Sequence, residues 1–142
     1  MKYYISLLAV LFLCSCEEPL NFNNSQFFDI QDILESVNCR AECEETADCE
    51  GQTVKMIGTI DEANISAATM TFFMEDRSES TFDIEIRVDS TAADEVFALV
   101  GINGGSDARI TAVLQGEDGT GSNCQREIFM IVDDVTSIDI IE

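Results

Sequence analysis

The chain has 142 residues, 28 of them acidic against 7 basic, with no His and no Trp. That charge repels phosphate backbones and excludes nucleic acid as a partner, while the lack of His removes the usual general base and every Ser-His-Asp or Cys-His set. A 46% hydrophobic fraction with nine Phe supports one folded core and excludes global disorder.

Met1-Lys2 carries one positive charge, and Tyr3 to Leu13 forms an apolar run. The run is shorter than the roughly 20 residues needed to cross a hydrocarbon core, and it matches the n- and h-regions of a secretory signal. Leu13-Cys14-Ser15-Cys16 follows. This resembles the bacterial lipobox, with an aliphatic residue three positions before the Cys and small residues between them. The resemblance implies a signal peptide over residues 1–15, lipidation of Cys16, and anchoring to a membrane that the chain does not cross. Cleavage removes Lys2 and leaves 28 acidic against 6 basic residues. Glu18 stands near where lipoproteins retained at the inner membrane often carry Asp, which points to the outer membrane, on its periplasmic or surface face.

Residues 16–26 are polar and Asn-rich and contain the only Pro, so they read as a flexible tether. Over residues 27–51, Phe27, Ile30, Ile33, Leu34 and Val37 recur at helical spacing. They predict an amphipathic helix, capped by Asn24 or Ser25, that lids one end of the core. Cys39, Cys43 and Cys49 crowd the segment after it, and Cys124 stands far downstream. With Cys16 lipidated, these four are an even number in an exported chain and point to two disulfides. Zinc would ask for paired C-x2-C spacing, and a catalytic thiol for a His or C-x-x-C partner. Three connectivities are open; in each, Cys124 reaches back to the cluster.

Residues 52–142 carry the strands. Gln52 to Ile60 places Val54, Met56, Gly58 and Ile60 on one face, with a bulge or bend expected at Gly58. A loop over Asp61 to Ala68 leads to a strand from Thr69 to Asp76 with Met70, Phe72 and Met74 inward. Thr81 to Asp89 alternates strictly, with Phe82, Ile84, Ile86 and Val88 inward. Thr91 and Asp94 suggest a capping box for a helix whose buried stripe is Val96, Phe97 and Val100 and whose end is Gly101. Asp107 to Gln115 buries Ala108, Ile110, Ala112 and Leu114. A turn over Gly116 to Asn123 returns Arg126 to Val132 as its hairpin partner, and Val135 to Ile141 extends or follows that strand.

Three meandering strands, a helix and a hairpin resemble the OB-fold: a mainly β, small five-stranded barrel with a helix between strands three and four, here preceded by the amino-terminal helix. Another small open barrel and a two-layer sandwich stay open. The OB resemblance implies a binding face on strands two and three, carried here by Thr71, Phe73, Glu75, Asp83, Glu85 and Arg87, with Thr69 beside them. Loops 61–68 and 116–125 form its rims. One aromatic, one Arg and three carboxylates do not suit nucleic acid.

The acidic pairs Glu75-Asp76, Glu117-Asp118 and Asp133-Asp134 lack the D-x-D-x-D-G calcium spacing and read as solvated turns. No catalytic residue, metal site or cofactor is assigned. The expected function is a membrane-anchored, non-catalytic binding or adaptor module for an envelope protein or glycan. The alternative is an OB-type domain for a small molecule, a cation or an oligosaccharide.

Overall fold

A computed structural model describes residues 18–122 and 124–141. The expected signal peptide over residues 1–15 and the expected lipidation site Cys16 lie outside the described residues. The strands in chain order are β1 (Phe28–Asp29), β2 (Thr53–Ser66), β3 (Thr71–Glu75), β4 (Asp83–Val88), β5 (Asp107–Asp118), β6 (Arg126–Val132) and β7 (Ile138–Ile140). Two helices join them, α1 (Ile30–Glu35) and α2 (Ala93–Ile102). Five strands close a barrel in the order β2-β3-β4-β6-β5, with β5 returning to β2. Every barrel pairing is antiparallel except β4 with β6, where Glu85 to Val88 run parallel to Phe129 to Val132.

Period-two alternation sets the interior. Val54, Met56 and Ile60 of β2, Phe72 and Met74 of β3, Ile84 and Ile86 of β4, Ala108, Ile110 and Leu114 of β5, and Met130 and Val132 of β6 are all buried. β2 serves both sides of the closure. Thr53 to Thr59 pair with β5, and Thr59 to Ser66 pair with β3. Gly58 sits where the strand changes partners. A Cβ there would meet Ile30 Cδ1 at 2.7 Å and the Glu75 carbonyl at 2.8 Å, so only glycine lets α1 approach so closely. The register irregularity itself falls later, between Ile60 and Ile65.

Several boundaries differ from expectation for identifiable reasons. The loop predicted at 61–68 is mostly strand. Asp61 takes the Ala63 amide and the Asn64 side chain at 2.9 and 2.5 Å, which absorbs the local polar demand while β2 continues to Ser66. Met70 does not point inward. It holds the left-handed conformation at φ 55° in the turn before β3 and is exposed. β4 starts at Asp83, and Phe82 is half-buried. Thr91 does not cap α2. Its amide and hydroxyl both donate to Asp89 Oδ1, at 2.9 and 2.7 Å. Gly101 lies inside α2 rather than at its end. Asn103 closes the helix by donating from its side chain to the Leu99 carbonyl, and Gly105 supplies the left-handed turn at φ 81°. Val135 to Ser137 form a 3-10 turn, after which β7 crosses to pair with β5 at Ala108 to Ile110 rather than lengthening β6.

The amino-terminal part is more tightly built than predicted. Segment 20–26 is docked, not free. Leu20 N–H donates to Asn38 Oδ1 at 2.9 Å, and Asn38 Nδ2 donates back to the Leu20 carbonyl at 3.4 Å. Phe22 is buried and meets Phe28 edge-on, with ring centroids 5.5 Å apart. Asn21 and Asn24 accept amides two residues on, turning polar sequence into Asx turns; neither Asn24 nor Ser25 caps α1.

β1 adds to β2 in parallel, and α1 is shorter than its apolar stripe implied. Ser36 ends it by taking extended backbone angles and donating its hydroxyl to the Ile33 carbonyl at 2.7 Å. Ile30 and Ile33 are fully buried, whereas Val37 projects from the 3-10 turn that follows.

Asp76 supplies the cap that the residues around α1 do not. Its carboxylate accepts from Gln31 N–H in the first turn of α1 at 2.9 Å, and from the Ser78 amide and hydroxyl and the Glu79 amide. It was read as half of a solvated acidic pair, yet it is 3% exposed. Burial opposes its charge, but the four donors outweigh that and hold its carboxyl below the usual value.

Candidate functional site

Strands β3 and β4 present one outer face in which Thr71 faces Arg87, Phe73 faces Glu85 and Glu75 faces Asp83. β6 continues it, with Phe129 beside Glu85 and Ile131 beside Arg87. Directly opposed side chains on neighbouring strands lie close enough to act together. Arg87 organises the centre. Its guanidinium donates to Glu85 Oε2 at 2.9 and 2.7 Å and to the two oxygens of Glu117 at 2.9 and 2.5 Å. The guanidinium carbon also lies 3.6 Å above the Phe129 ring. Phe129 points outward yet is only 8% exposed, because Arg87 covers it.

The bonds to Glu117, opposed by burial and reinforced by Glu85, raise the Arg87 pKa further. The reciprocal bond from Arg87 is the main cause that lowers the Glu117 carboxyl.

A groove of about 430 Å³ runs along this face. Of the residues expected on the binding face, Phe73, Asp83, Glu85 and Arg87 line it, while Thr71 and Glu75 do not. Phe73 is half-buried, and Leu34 of α1 and Cys39 form part of the opposite wall. The amino-terminal segment therefore borders Phe73 without sealing it. A second hollow of about 760 Å³ shares Leu34, Cys39 and Arg126 with the groove and continues past Arg40 and Glu45.

The two disulfides build that wall. Cys39 bonds Cys49, and Cys43 bonds Cys124, so the downstream Cys does close back on the cluster. Arg126 N–H donates to the Ala41 carbonyl at 2.9 Å, and Cys43 N–H donates to the Cys124 carbonyl at 3.3 Å. The segment thus lies alongside the start of β6. Arg126 adds a fork to Glu50 at 2.8 and 2.9 Å and a third bond to Asp118 at 2.8 Å. The Glu50 side chain is 8% exposed, and Arg126 holds its carboxyl below the usual value against the opposing effect of burial.

Glu50, Arg126, Phe129 and Glu127 were not foreseen as part of this site. Only the nearness of Arg126 to Cys124 in sequence hinted at it.

Chemically, the groove offers one half-buried ring, a ring stacked under a cation, and four carboxylates, of which Glu85 and Glu117 are turned toward Arg87. Those carboxylates can accept hydrogen bonds from hydroxyl or amide donors, and Phe73 can take an apolar or sugar face. Among the described residues no three His, Cys, Asp or Glu side chains converge as a metal site. No protein-family model matches the chain, and no curated protein matches its sequence.

Proposed function

We propose that this is a lipid-anchored envelope protein whose barrel, of the OB type, is a non-catalytic module binding an envelope protein or glycan at the groove beside Phe73. The lipobox residues Leu13 to Cys16 support the anchor. The position of α2 between the third and fourth barrel strands supports the OB reading. The observation that carries the function is a difference between two rings lining one groove: Phe129 is stacked under Arg87 and 8% exposed, while Phe73 is half-buried. An accessible aromatic within a ring of fixed polar groups is the usual makeup of a recognition site.

The test is capture from detergent-solubilised envelope with the wild-type protein and with Phe73→Ala. One stoichiometric partner or glycan held by the wild type and lost by the variant is the expected result. Equal recovery by both overturns the reading. For the anchor, Cys16→Ala should remove the lipid mass from the mature protein. Protease treatment of intact cells then tells surface display from a periplasmic face.

The groove's 430 Å³ also suits a small ligand, since such sites usually run from about 300 to 1,000 Å³. A rise in melting temperature with calcium or a soluble oligosaccharide would favour that second reading, and a flat response to both would remove it.

A further inference from the structure

We infer that the barrel is held against the lipid surface by one defined pole, formed by Leu20, Val37 and Asn38, instead of swinging on a tether; this rests on the lipid-anchor reading of Cys16. The described contacts leave almost no slack. Leu20 is clamped by the paired hydrogen bonds to Asn38, and Phe22 is buried against Phe28. Releasing the segment would break both bonds and expose the buried Phe22 ring. The lipid-bearing residue stands only four positions before Leu20, with Pro19 between them. Four residues, however arranged, reach at most about 14 Å. A small domain is roughly twice that across, so the Leu20 pole must face the bilayer.

The side chain beside the clamp fits that environment. Val37 is 42% exposed, one of four large apolar side chains left open among the described residues, and adjoins Asn38 in the 3-10 turn. The opposite pole is identifiable as well. Asn38 accepts from the Cys49 amide, and Gly51 N–H reaches the Leu114 carbonyl, which places the clamp at the Leu114 end of β5. Ile102, 84% exposed, closes α2 near the other end of β5, where Gly105 and Ser106 bond Ile60. From Asp107 to Leu114 the strand covers roughly 23 Å. Leu34 and Cys39, which flank the clamp in sequence, line the groove, so one wall of the groove is continuous with the chain that forms this pole.

The chain contains no Trp, so single reporters are unambiguous. Full-length lipidated Val37→Trp and Ile102→Trp proteins are reconstituted into phosphatidylcholine vesicles with brominated acyl chains. Mass spectrometry first establishes the lipid on Cys16; its absence refutes the anchor reading itself and this inference with it. With the lipid present, several-fold stronger quenching at position 37 than at 102 is expected. Equal quenching, or none at 37, overturns the inference while leaving the anchor intact. Inserting a Gly-Ser linker of about ten residues between Glu18 and Pro19 should bring the quenching at 37 down toward that at 102. Undiminished quenching would show that leash length does not orient the domain.

Discussion

Asp76 accepts the amide of Gln31 at 2.9 Å across 45 residues of sequence, so the turn after β3 caps a helix that lies far before it in the chain. α1 is too short to persist alone, and its first turn has no side-chain cap of its own. Replacing Asp76 with Ala leaves four part-buried donors without their acceptor and removes the cap of α1, and should cost about 1 to 3 kcal/mol. The pH dependence follows from the direction of the shift. The folded pKa lies below the unfolded value of 3.8, so the stabilisation is complete above that value and fades as pH falls through the folded pKa. Urea melts of wild type and Asp76→Asn should therefore differ most at neutral pH and converge in strong acid. A constant gap across that range would show that the charge is not what Asp76 contributes.

The disulfides differ in loop length, and so in what they should contribute. Cys43–Cys124 spans 81 residues and Cys39–Cys49 spans 10. The loop-entropy relation gives about 4.5 kcal/mol for the first and about 2.7 for the second. Pairwise replacement by Ser should reproduce that order in melting temperature, and peptide mapping without reductant should return these two linked pairs.

The strands were legible because burial writes itself into alternation: Ile84, Ile86, Ala108, Ile110 and Leu114 lie inward, as their spacing predicts. The bonds that build the groove wall left no such trace. Glu50 and Arg126 are far apart in sequence, and nothing local marks them as a pair. The Asn-rich stretch before Phe27 looked like a tether because composition reports polarity. Asn side chains folding back on nearby amides satisfy the same composition with a fixed turn. Asp76 was misjudged for the same reason, since a buried carboxylate and a solvated one look alike until their donors are known.

The alternation in β4 separates two substitutions on neighbouring residues. Ile84 is 1% exposed, so Ile84→Asp buries a carboxylate without a partner and should remove most of the about 5 to 15 kcal/mol typical of such a domain. Glu85 bonds Arg87 at the surface, and Glu117 still holds Arg87 when Glu85 is gone. Glu85→Ala should therefore cost under about 1 kcal/mol. Circular dichroism melts check both, and a folded Ile84→Asp protein would reverse the inward and outward assignment of β4.

Gly58 gives the most local test of how α1 joins the barrel. A methyl group there would sit 2.7 Å from the end of the Ile30 side chain and 2.8 Å from the Glu75 carbonyl. The Ile30 terminus can shift, but the carbonyl belongs to β3 and cannot move without disturbing the pairing of Thr59 with Glu75. Overpacking of this kind costs about 1 to 3 kcal/mol, so Gly58→Ala should lower the melting temperature clearly. Adding Ile30→Val, which shortens the side chain that collides, should recover part of the loss and not all of it. Complete recovery would mean that the backbone at Glu75 yields freely, and no recovery would mean that the carbonyl contact accounts for the whole cost. In either case the double-mutant cycle measures how firmly the helix at the amino terminus is seated against the strand that closes the barrel.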